Sequence, residues 1–132
     1  MSVAGPVLPA PFEAVGGREG VSRIVDRFYD LMDSSPAYRE LRTLHADDLM
    51  PMRRSLSGFL TAWIGGPRDW FAAHPGKCMM SVHANVRINA ATANQWVGAM
   101  AEALNDCGVE SVLAARIGTA FAAMATSMAR TG

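Results

Sequence analysis

The chain has 132 residues, half of them apolar and 18% charged, with twelve basic side chains balanced by twelve acidic ones. That length suits one domain with a core of its own, and the apolar share excludes a disordered chain. Balanced charge supplies no field to hold a phosphate backbone, so nucleic acid is not an expected partner. The two cysteines, Cys78 and Cys107, have no metal-ligand spacing and are too few for a disulfide scaffold, which suits a reducing, cytoplasmic setting. No apolar run approaches the roughly 18 residues of a membrane span. Met1 to Pro11 is apolar and proline-rich without an early basic residue, so it reads as a flexible lead-in (1–11) rather than a signal peptide, followed by a single domain over 12–132.

In chain order the pattern is helix after helix. After a turn at Gly16-Gly17, Val21, Ile24, Val25, Phe28, Leu31 and Met32 recur at steps of three and four, an amphipathic helix that Ser34-Ser35-Pro36 closes. Tyr38 to Leu44 allows a further short turn before His45. Asp47 or Asp48 can cap the next helix, whose apolar face holds Met52, Leu56, Phe59, Leu60, Trp63 and Ile64. Gly65-Gly66-Pro67 ends it, because glycine accepts the left-handed conformation past the last turn and proline cannot continue the helix. From Arg68 to Cys78 the pattern blurs; Trp70 and Phe71 are expected to pack, and His74-Pro75-Gly76 to turn with His74 exposed. A short helix then carries His83. Asn89 is the expected N-cap of the next helix, with Ala93, Trp96, Val97, Met100 and Leu104 inward. Asn105 to Gly108 is a stop, and a last helix from about Glu110 presents Leu113, Ile117, Phe121, Met124 and Met128. No strand alternation and no internal repeat is visible, so the expected fold class is all-α.

His83 is the residue that asks for a chemical explanation. Met79 and Met80 precede it by about one helical turn, and Val86 and Ile88 follow, so its imidazole faces apolar surroundings. A neutral imidazole in such a place needs a partner. A plain hydrogen bond is one answer; a haem iron held by a single proximal histidine is another. This stretch alone leaves both open.

Residues elsewhere decide between them. Phe28-Tyr29-Asp30, Leu44-His45, Phe59-Leu60, Trp63-Ile64-Gly65-Gly66-Pro67, His83-Ala84 and Gln95-Trp96 fall in an order and spacing that resembles the truncated haemoglobins, specifically their second group, over residues 12 to 130. The resemblance implies a truncated globin fold, a 2-on-2 helical sandwich around haem b (iron protoporphyrin IX). It matches His83 to the proximal iron ligand, Tyr29 to a distal phenol, Trp96 to an indole N–H aimed at the ligand, and His45 to a pocket-edge position. It sets Met52 and Leu56 over the iron, with Phe59 and Leu60 deeper. Met79, Val86, Arg87 and Ile88 complete the expected haem contacts, Arg87 with Arg53 or Arg54 facing a propionate. The chain departs from the family pattern at His74-Pro75, two positions earlier than usual, and at Asn85-Val86, where Pro-Phe is common.

The implied function is reversible binding of oxygen, and of nitric oxide and carbon monoxide, by a monomer or homodimer. Bound oxygen carries partial negative charge, so hydrogen-bond donors in a water-poor pocket retain it more than they retain an uncharged ligand. Redox chemistry on these gases, as in a nitric oxide dioxygenase or a peroxidase, is permitted by the resemblance. It would need a separate reductase, since no Gly-rich flavin or nicotinamide motif is present. A rival from another class is a haem-free helical interaction module that docks partners on an apolar helix face.

Overall fold

The computed structural model describes residues 11–45, 47–67, 69–73 and 88–128, the side chains at 69, 71, 127 and 128 excepted. All elements among the described residues are helical. They run as α1 (Pro11–Ala14), α2 (Gly17–Ser34), a 3-10 turn (Pro36–Tyr38) leading into α3 (Arg39–Thr43), α4 (Met50–Trp63), α5 (Asp69–Ala73), α6 (Ala90–Asp106) and α7 (Ser111–Met128).

The predicted apolar row of α2 is buried in full: Val21, Ile24, Val25, Phe28, Leu31 and Met32. Neither candidate aspartate holds the N-cap position of α4, which is Leu49; Asp48, one residue before it, accepts the Met50 N–H at 3.0 Å. The far end of α4 closes as the Gly-Gly pair predicts. Gly65 sits at φ +101°; its N–H donates to the Ala62 carbonyl at 3.2 Å and that of Gly66 to the Thr61 carbonyl at 2.7 Å, which satisfies two carbonyls the helix would otherwise leave open. Gly66 is needed for a second reason, since a Cβ there would lie 2.6 Å from the ring of Phe12. That contact, with the Phe12 N–H on the Ile64 carbonyl at 3.0 Å, docks α1 on the end of α4. Helix α1 begins at Pro11, at the edge of the stretch read as lead-in.

Asn89 caps α6 as expected, and reciprocally: its side chain accepts the Thr92 N–H at 2.8 Å while the Thr92 hydroxyl accepts the Asn89 N–H at 3.1 Å. Helix α7 starts where Glu110 turns its carboxylate back onto the N–H of Val112. Helix α2 packs on α4 and on α6, and α6 on α7, giving two helix pairs joined through α2 and α6. Phe28, Met32, Met100, Leu104 and Phe121 fill the junction with almost no exposure. No helix among the described residues is long and apolar enough to cross a membrane.

Candidate functional site

Where α2 faces α4 and α6, the core changes character. Tyr29, one position beyond the core residue Phe28 and edge-on to it at 4.9 Å, is only 4% exposed. Its hydroxyl makes no hydrogen bond among the described residues. Burial pushes the phenol well above its ordinary range, an effect the nearby Arg53 cation opposes without cancelling. The hydroxyl therefore keeps its proton at any physiological pH and stands as a donor.

His45, just past α3, lies edge-on to Tyr29 with ring centroids 5.9 Å apart. Its Nδ1 is 2.9 Å from the Leu41 carbonyl. A carbonyl only accepts, so Nδ1 carries a proton in this contact and the ring is fixed by it. The segment holding His45 is itself tied to α6, because the Gln95 side-chain oxygen accepts the Leu41 N–H at 2.9 Å. Gln95 precedes Trp96, so one turn of α6 both carries the indole and sets α3. Trp96 is buried with its ring 4.3 Å from that of Phe121 on α7.

Helix α4 supplies apolar walls. Leu56, Phe59 and Leu60 are buried, and Ile88 is buried immediately before the cap of α6. Leu60 lines a cavity of about 20 Å³ with Ile24, Met100 and Phe121 among others, all apolar. Phe59 stacks on Trp63 at 6.4 Å and meets Trp70 edge-on at 5.4 Å. The Trp70 N–H donates to the Ser55 hydroxyl at 3.3 Å, so both tryptophans pack as expected. Met52, expected beside Leu56, is 40% exposed on the first turn of α4, at the solvent edge of the face that Leu56 continues inward.

Arg53, one of the two α4 arginines expected to face a propionate, holds its guanidinium on Asp26 at 3.0 Å and Asp30 at 2.9 Å, both on α2. The other, Arg54, keeps an exposed side chain. Met79, His83, Val86 and Arg87 lie outside the described residues, as do His74 and Cys78. The Gln95 tie escaped the sequence, as did a hydrogen bond from the Tyr38 hydroxyl to Glu102 at 2.6 Å. Both join residues more than fifty positions apart, beyond the reach of any local pattern.

Two helix pairs carrying a buried phenol, a fixed imidazole and a buried indole, in this chain order, define a globin of the shortened 2-on-2 kind. Residues 10–130 match the family described as bacterial-like globin, and the chain belongs to it. It is 31% identical over 106 residues to the group 2 truncated hemoglobin YjbI of Bacillus subtilis (strain 168), covering 80% of this chain and 77% of that protein. It is also similar to the solved truncated oxygen-avid haemoglobin from Bacillus subtilis, at 28% identity and a TM-score of 0.83, with 92% of this chain and 100% of that one covered. The group II 2-on-2 hemoglobin from Agrobacterium tumefaciens shares the fold at a TM-score of 0.90 and 24% identity, covering 98% of this chain and 100% of that one.

Proposed function

We propose that the chain is a cytoplasmic haem b globin that binds oxygen reversibly, and nitric oxide and carbon monoxide as further ligands, with His83 as its iron ligand. Haem, held by His83, would supply an iron able to bind a diatomic gas. The chain's own residues do the rest. Tyr29 and Trp96 donate hydrogen bonds to the gas, His45 borders it, and Leu56, Phe59, Leu60 and Ile88 keep water from it. Met52 sits at the pocket's outer edge, and Met79, Val86 and Arg87 contact the porphyrin beside His83.

The observation that carries this reading is the Tyr29 hydroxyl, buried and without an acceptor among the described residues. Leaving such a group unsatisfied costs about 1 to 3 kcal/mol, so its natural complement is an acceptor brought in from outside the protein. A buried donor beside apolar side chains suits a small ligand that carries partial negative charge when bound, which is the chemistry of oxygen on a ferrous haem. Membership of the globin family, and the oxygen-avid relative in particular, supports the same assignment.

The test is spectroscopic. Purified protein supplied with haem should show an intense Soret band that His83→Gly abolishes or greatly weakens. A colourless protein that refuses haem would overturn the proposal in favour of a helical interaction module.

A further inference from the structure

The ion pairs around Arg53 are unusual in their distribution of exposure. Asp26 and Asp30, one turn apart on α2, have side chains 57% and 58% exposed, whereas the Arg53 side chain between them is only 19% exposed. What covers it on the protein side includes Tyr29: the guanidinium carbon lies over the phenol ring, 5.6 Å from its centroid. The guanidinium makes three contacts with α2, to the Asp26 carboxylate, to the Asp30 carboxylate and to the Asp26 carbonyl at 3.2 Å. Ion pairs with exposed carboxylates add little to stability, and fixing an arginine side chain costs rotamer freedom. Stability alone is a weak account of this fork. Position is a stronger one, because a planar group with fixed donors, tied at three points, has one place to lie.

We infer that Arg53 is a positioning residue for the Tyr29 hydroxyl: pinned by Asp26 and Asp30, its guanidinium closes the solvent side of the phenol ring and holds the donor toward the pocket. Tyr29 is then bounded on three sides, by Phe28, by the fixed ring of His45 and by the Arg53 cation. The cation has a second effect. Positive charge beside the ring favours negative charge on the phenol oxygen and so makes its O–H a better donor to a ligand. This inference rests on the reading of Tyr29 as a gas-ligand donor.

The test uses haem-loaded protein carrying Arg53→Met, Arg53→Lys or the pair Asp26→Asn with Asp30→Asn, each alone and with Tyr29→Phe. Three signals are read: the infrared C–O stretch of the carbon monoxide complex, the oxygen dissociation rate, and the ring signals of ¹³C-labelled tyrosine. The chain has two tyrosines, so Tyr29→Phe assigns the spectrum at once. Arg53→Met should add a higher-frequency C–O band, speed oxygen dissociation about 3-fold, short of the ~10-fold expected for losing the donor itself, and shift the Tyr29 signal while leaving Tyr38 in place. The asparagine pair should move the same way and Arg53→Lys less. In the Tyr29→Phe background none of the Arg53 changes should alter the band or the rate. If Tyr29→Phe changes band and rate but Arg53→Met does not, or if Arg53→Met acts equally without the phenol, the clamp is refuted while the donor role stands. If Tyr29→Phe itself matches the wild type, the donor reading falls and this inference with it.

Discussion

A buried phenol without an acceptor works against the fold that contains it, and this separates a ligand donor from an ordinary core tyrosine. Tyr29→Phe should leave the ligand-free protein as stable as the wild type or slightly more so, because it removes an unsatisfied hydroxyl and keeps the ring against Phe28. The same change should speed oxygen dissociation about 10-fold, the equivalent of a hydrogen bond worth ~1.4 kcal/mol. Trp96→Phe should also speed dissociation, but with a fall in melting temperature, since the indole packs at 4.3 Å on Phe121. Stopped-flow ligand replacement and thermal unfolding of the two variants check both halves. The burial of Tyr29 and Trp96 was legible in the sequence because each stands at a fixed step from apolar helical neighbours. Arg53 was not. A charged residue on a helix reads as a solvated face, and its anchors lie 23 and 27 positions away on another helix. The Nδ1 contact that fixes His45 escaped for a related reason: it depends on the backbone carbonyl of Leu41, which sequence does not position.

At the level of elements, what the sequence announced was where helices stop and start by local chemistry. Glycines past the ends of α4 and α6 adopt positive φ where they were expected to. Asn89 closes a reciprocal cap with Thr92. Asn89→Ala should therefore cost about 1 kcal/mol, read as a lower urea midpoint with an unchanged slope. Its oxygen dissociation rate should stay at the wild-type value, because the hydrogen bonds of the cap run between Asn89 and Thr92 and support α6 as a whole. A rate change as large as that of Trp96→Phe would show that the start of α6 governs the indole directly. Helix α1 was not legible, since four residues cannot sustain a helix by propensity; it forms against α4, with Phe12 seated over Gly66. The fit of that ring to a position with no Cβ is a tertiary fact.

For the molecule as a whole, the weak side lies at high pH. Lys77 is the only lysine and the other eleven basic side chains are arginines; the hydrogen bond to Asp106 at 2.8 Å pushes the Arg27 guanidinium above its ordinary value. Both tyrosines, by contrast, stand at junctions between elements. Burial, then the hydrogen bond to Glu102, pushes Tyr38 up to about 12; burial pushes Tyr29 above the ordinary range as well, against the opposing Arg53 charge. Burial also raises the Cys107 thiol. In each case the folded protein holds its proton more tightly than the unfolded chain. The associated stability is therefore complete below the unfolded pKa, about 10 for a phenol, and is lost as pH rises from there through the folded value. Urea midpoints should be level near neutrality and fall between about pH 10 and 12. Tyr38→Phe should begin lower, having lost its bond to α6, and decline less steeply over that interval. An alkaline limb of the same slope in Tyr38→Phe would mean that groups other than this phenol set the limit, and that the tie between the 3-10 turn and α6 survives its ionisation.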